Sequence, residues 1–366
     1  MIEDRRVGWL ELFYDLMFVA LVAQLAHPLV GDPSFRAALT MLALFAPVWW
    51  VWVSSTVYTN LFGEGGAERR VAVMGQMAVV LVMAAGAGDA AHGRTALFAG
   101  SYVAVLAGLL LVRWLLGRRH PRGGSSAAVL ISMTCWAASI PLHPPLVYPL
   151  WAAGTGVEIA TALYRRTGSV DVSHLVDRFG GFIIIVLGEG VAQLVSGLVA
   201  AHSTPHSVAT AVAAFAVLCA VCWIYFDFGS TLAASTLRNR PHDAFVLARR
   251  IFMYGHFLPA AALMTLVAGL GTLLGRPSPG VLWLMSAALM IFLCNNAFLA
   301  VTTVGQQPAR VARWLVPSLA LLTLVGRLGQ NLDPALQAAA LFAAFTTPAA
   351  VNRLVILRPV SPRRGA

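Results

Sequence analysis

The stretch Trp9–His27, WLELFYDLMFVALVAQLAH, is long and apolar enough to cross a bilayer as a helix, yet it carries Glu11 and Asp15 one turn apart. A charged carboxylate at mid-bilayer costs at least ~2.5–3.5 kcal/mol on insertion scales, so a membrane helix keeps one only where it faces protein, water or an opposite charge. The rest of the chain decides whether this helix belongs in lipid. Of its 366 residues, 59% are hydrophobic and 11% charged, with a mean hydropathy of +0.77. A water-soluble fold of this size needs far more polar surface, so the sequence reads as an all-α, polytopic transmembrane bundle.

Stretches of about 20 mostly apolar residues, the length a helix needs for a ~30 Å hydrocarbon core, recur at 8–30, 36–61, 71–90, 95–117, 126–142, 145–165, 176–201, 207–230, 246–274, 280–304, 311–328 and 334–357. That gives about 12 spans, with the short 126–142 and the polar-ended 311–328 setting a lower bound of 10. All 25 basic residues are arginines. With twelve spans and both termini cytoplasmic, only Arg36, Arg94, Arg276 and Arg327 fall outside, and the rest gather on the inner side as basic residues do. The net charge of +10 therefore reads as topology and contact with membrane lipids, and no basic soluble module points to nucleic acid.

The N-terminal MIEDRR and the two carboxylates that follow do not resemble a cleaved signal peptide, so the first helix is expected to stay in the mature protein. Cys135, Cys219, Cys222 and Cys294 all lie in expected spans, which indicates neither a disulfide framework nor a zinc knuckle. No metal or other cofactor is assigned. Connections are short, so the chain reads as one integral membrane domain, divisible into six-helix halves at about 1–166 and 167–366. Trp49, Trp50 and Trp52 read as core and interface packing.

Four blocks carry a family resemblance: ELFYDLMFVALVAQLAH near the N-terminus, HLVDRFGGFIIIVLGEGV at 174–191, YFDFG at 225–229 and YGHFLP at 254–259. In this order they resemble the signature of the bacterial low temperature requirement A (LtrA) family, over residues from about 7 to about 350. The resemblance implies a multi-pass protein of the bacterial inner membrane linked to growth at low temperature, with no agreed molecular activity. It places the family's polar signature on Glu11, Asp15, His27, His174, Arg178, Glu189, Asp227 and His256. Asp177 stands where the family more often has glutamate, one methylene longer.

With the N-terminus inside, Glu11 and Asp15 enter about 5 and 11 Å along the first helix, and the seventh brings His174, Asp177 and Arg178 to its cytoplasmic mouth, with Glu189 about 20 Å deeper. Asp227 and His256 approach in the same half, from helices eight and nine. Glu11, Asp15, His174, Asp177, Arg178, Glu189, Asp227 and His256 are therefore the candidates for one polar pocket open to the cytoplasm, with His27 near the opposite surface.

Three functions fit such a pocket. The first is a secondary transporter or ion-coupled carrier for a small molecule or ion, in which carboxylates and histidines titrate as protons or cations bind. The second is a membrane-embedded enzyme acting by acid/base chemistry on a lipid, isoprenoid or other apolar substrate; no HExxH, paired DxxxD or nucleophile motif supports it. The third is a structural or regulatory membrane protein whose polar cluster only fixes helix packing. Oligomeric state is not legible in the sequence.

Overall fold

The computed structural model describes residues 7–62, 66–117, 126–164, 171–230, 237, 244–275 and 279–356. Arg276 and the arginines at 5–6, 118–122, 165–166, 238–240 and 358–364, which served as topology markers, lie outside these. Among the described residues the structure is helical, with no strand. Its helices are α1 (Trp9–Gly31), α2 (Phe35–Phe62), α3 (Ala67–Ala91), α4 (Ala96–Gly117), α5 (Ser126–Ser139), α6 (Val147–Tyr164), α7 (Val172–Ala200) and α8 (Pro205–Ile224). The last of these continues as a π-helical turn, Tyr225–Ser230. The short α9 (Ala244–Ala248) runs through a second π-helical turn, Arg249–Tyr254, into α10 (Phe257–Thr272), and α11 (Val281–Thr302), α12 (Pro308–Leu328) and α13 (Pro334–Ile356) follow.

Each of the twelve expected apolar stretches is thus helical, and the ends carry ordinary start signals. Asp171 caps α7 by accepting from the His174 N–H, Thr204 caps α8, and Pro205, Pro308 and Pro334 begin their helices, where a missing N–H costs nothing. Among the described residues, eight helical segments are long and apolar enough to cross a membrane. α5, at 14 residues, is too short to cross a ~30 Å core unaided. Large apolar side chains such as Leu81, Ile184, Phe298 and Leu324 lie exposed along these segments, as suits a lipid-facing surface.

The helices close two rings with one packing order. In the first, α1 packs on α3, α3 on α4, α4 on α5, α5 on α6, α6 on α2 and α2 back on α1. In the second, α7 packs on α10, α10 on α11, α11 on α12, α12 on α13, α13 on α8 and α8 back on α7. The rings meet where α1 and α2 touch α7 and α10. Small residues bring helices close: a Cβ on Gly190 of α7 would lie 3.0 Å from Leu218 of α8 and 3.1 Å from Val267 of α10.

Candidate functional site

The junction of the two rings is built around α1 and α7, each of which offers two polar residues four apart on one face. Glu11 and Asp15 come from α1, His174 and Arg178 from α7. They pair across the junction as two rungs: Glu11 Oε2 lies 3.1 Å from His174 Nε2, and Asp15 Oδ1 lies 2.8 Å from an Arg178 guanidinium nitrogen. Asp15 and His174 are fully buried, and Arg178 is 2% exposed.

Local structure fixes the first rung. Asn60 of α2 grips the backbone of Asp171 at both ends, donating from Nδ2 to its carbonyl (2.8 Å) and accepting its N–H on Oδ1 (3.2 Å). That sets the amide orientation, so Nδ2 also donates to His174 Nδ1 at 3.1 Å. With Nδ1 accepting, the imidazole proton sits on Nε2 and is donated to Glu11. Glu11 Oε2 accepts a second bond from the Gly8 N–H at 3.0 Å, closing the first turn of α1. In the second rung, the Trp52 indole donates to Asp15 Oδ1 at 2.7 Å, and Arg178 also donates to Thr56 at 3.2 Å. The Arg178 guanidinium lies 5.9 Å from the Trp52 ring centroid, a cation–π arrangement.

Both rungs keep spare bonding capacity. Glu11 Oε1, Asp15 Oδ2 and Arg178 Nε and Nη1 are buried and make no hydrogen bond among the described residues. A cavity of about 20 Å³, room for roughly one water, lies beside them, lined by Leu10, Glu11, Tyr14, Ser55, Thr59, Arg69, Val73 and Arg178.

The other four sequence candidates lie apart from these rungs. His256 is buried, but both its ring nitrogens are engaged: Nδ1 donates to the Ile251 carbonyl (2.8 Å) and Nε2 accepts from the Tyr225 hydroxyl (3.1 Å). The π-helical turn at Arg249–Tyr254 makes this possible, because its wider winding leaves carbonyls outside the usual ladder; Met253 O likewise accepts the Trp49 indole at 2.9 Å. Phe179, the residue after Arg178, lies between the two groups, 5.1 Å from the His256 ring and 4.8 Å from the Trp52 ring. Asp177 is exposed, being the neighbour of Arg178 on a helix whose consecutive residues point about 100° apart. Asp227 is exposed and accepts from the Trp223 indole one turn earlier. Glu189 is half-buried farther along α7 and accepts from Gln193 at 3.1 Å. His27 is exposed.

Sequence reasoning missed the contribution of α2. Trp52, Thr56 and Asn60 recur every four residues and put one polar stripe against both rungs. The signal was present in WVSSTVYTN, residues 52–60, where Ser55, Thr56, Thr59 and Asn60 interrupt an otherwise apolar helix. Trp52 in particular does more than pack, since its N–H holds Asp15. Among the described residues no three His, Cys, Asp or Glu side chains converge as a metal-ligand set.

Comparison with known proteins places this chain in a family. The model of the Bacterial low temperature requirement A protein (LtrA) family matches residues 6–351, and the chain belongs to that family. It is 27% identical over 271 residues to an uncharacterized protein, RA0937, of Rhizobium meliloti (strain 1021), covering 69% of this chain and 66% of that protein. The match thus spans slightly less than two thirds of the relative's length. No solved structure matches.

Proposed function

We propose that this LtrA family member is a secondary transporter or ion-coupled carrier of the bacterial inner membrane, with about twelve spans, cytoplasmic termini and a coupling site formed by Glu11, Asp15, His174 and Arg178. The observation that carries the reading is the pair of buried, incompletely satisfied acid–base rungs at the junction of two helical rings. Buried ionic groups with spare bonds are costly inside a membrane, and a purely structural join is better served by full pairing or by apolar packing.

The two rings read as parallel six-helix repeats, a plan used by transporters that rock one half against the other around a central site. Their common packing order supports this. So does the third helical segment of each half, which carries two arginines and, five and six residues after the second, Gly75-Gln76 or Gly255-His256. On this plan Glu11 corresponds to His174 and Asp15 to Arg178, so each rung joins equivalent positions across the axis. Protonating a carboxylate weakens its rung, and that ties proton occupancy to the movement of the halves.

The reading separates from its rivals in one preparation. Wild-type turnover of a bacterial lipid extract in detergent, where no gradient exists, would favour the enzyme and defeat the carrier. Reporter fusions are expected to place Ser203 outside and Gly123 inside; a cytoplasmic Ser203 would break the twelve-span plan.

A further inference from the structure

The cavity beside the first rung has an unusual lining for a site flanked by two acidic residues. Two guanidiniums line it, Arg69 (6% exposed) and Arg178 (2% exposed), against a single carboxylate, Glu11. The hydroxyl-bearing residues Tyr14, Ser55 and Thr59 complete its polar wall, and Leu10 and Val73 its apolar one. Asp15 is absent from the lining and spends Oδ1 on Arg178 and Trp52. Arg178 meanwhile keeps two buried donors, Nε and Nη1, without a partner among the described residues. A buried guanidinium with free N–H groups, hydroxyl groups beside it and space for one water-sized particle make an environment for a small anion.

Glu11 is the one carboxylate in that lining. Its Oε2 is occupied by the Gly8 and His174 N–H groups, while Oε1 has no partner among the described residues. As a carboxylate, Glu11 opposes an anion in the same small cavity. Protonated on Oε1, it keeps both bonds to Oε2 and adds a donor. The groups around it are Asp15 and Tyr14 on its own helix, His174 and Arg178 from α7 and Arg69 from α3; α2 contributes only hydroxyls to the cavity, and α10 carries no titratable side chain. Taking up one anion together with one proton leaves the net charge of this low-dielectric site unchanged.

We infer that the cavity lined by Glu11, Tyr14, Ser55, Thr59, Arg69 and Arg178 binds a small monovalent anion of chloride size together with one proton on Glu11. This deepens the carrier reading by naming a co-substrate class, and it is tested by binding alone. Full-length protein in detergent and weakly buffered, chloride-free solution is titrated with sodium chloride, following heat by calorimetry and proton uptake with a pH dye.

The expected result is uptake of about one proton per chloride bound, with affinity falling about tenfold per pH unit once Glu11 is ionised in the chloride-free protein, as one-proton linkage requires. Glu11→Gln should bind chloride without proton uptake and with pH-independent affinity, and Arg69→Gln should lose at least about tenfold in affinity through its missing charge. Sulfate, larger and doubly charged, should not compete. Folded wild-type protein that binds no chloride at any pH overturns the inference, and so does chloride binding without proton uptake. If Glu11→Gln does not fold, the wild-type proton count and the Arg69→Gln affinity still decide. Proton-linked chloride binding in detergent with no flux in vesicles would keep this site and remove the carrier reading; flux without chloride binding would do the reverse.

Discussion

Two buried polar groups sit back to back across Phe179, and they are built on opposite principles. Around His256 everything is neutral and spent: one nitrogen donates to a carbonyl, the other accepts from Tyr225. Around Arg178 the groups are ionic, and Glu11 Oε1, Asp15 Oδ2 and two guanidinium nitrogens are left over. Unmade bonds in a buried site cost free energy, so a protein that only needed to join α1 to α7 had the His256 solution available and did not use it there. On the carrier reading, the satisfied group is structure and the unsatisfied one is machinery.

The largest effect is expected from cutting the second rung. Asp15→Asn or Arg178→Gln each leaves an opposite charge buried without its partner and should destabilise by about 3–5 kcal/mol in thermal unfolding in detergent. The double variant, with both charges gone, should be less destabilised than the sum of the two singles. Additive losses would mean that the pair is not coupled. Trp52→Phe comes next: it keeps the ring but removes the donor to Asp15, at about 1.5–3 kcal/mol, the range for a hydrogen bond to a charged group.

Across Phe179, Tyr225→Phe should cost about 1 kcal/mol, one neutral hydrogen bond, and leave transport intact. Loss of flux in that variant with normal folding would erase the contrast between the two groups. At the small end, Asp177→Asn and Asp227→Asn, both exposed, should stay within about 0.5 kcal/mol of wild type.

How far the sequence reveals these regions follows from what each depends on. Helix positions were legible because apolar length is a local property: the stretch at 207–230 covers α8 and its π-helical turn, and the stretch at 246–274 covers α9 to α10. The π-helical winding inside those two stretches was not legible, since it depends on which side chains claim the freed carbonyls. For the site, Glu11, Asp15, His174 and Arg178 announced themselves as polar groups in apolar helices. Their grouping with Asp177, Glu189, Asp227 and His256 rested on the family signature and on shared depth. Depth fixes distance along the membrane normal and leaves the direction around each helix open, so Asp177 faces out while the adjacent Arg178 faces in. The α2 stripe of Trp52, Thr56 and Asn60 was readable by spacing, but hydroxyl and amide groups in a membrane helix also satisfy their own backbone, which masks the signal.

Proton movement through the rungs is the central claim, and vesicles test it directly. Wild-type protein, Asp15→Asn and Tyr225→Phe are reconstituted with a pH dye trapped inside, and potassium, sodium and chloride gradients are imposed in turn, each with the membrane potential clamped. The account predicts that at least one gradient drives a change of internal pH in wild type and in Tyr225→Phe, and that Asp15→Asn, folded and inserted, gives none. An internal pH that responds equally in wild type and Asp15→Asn, or in neither, would contradict it.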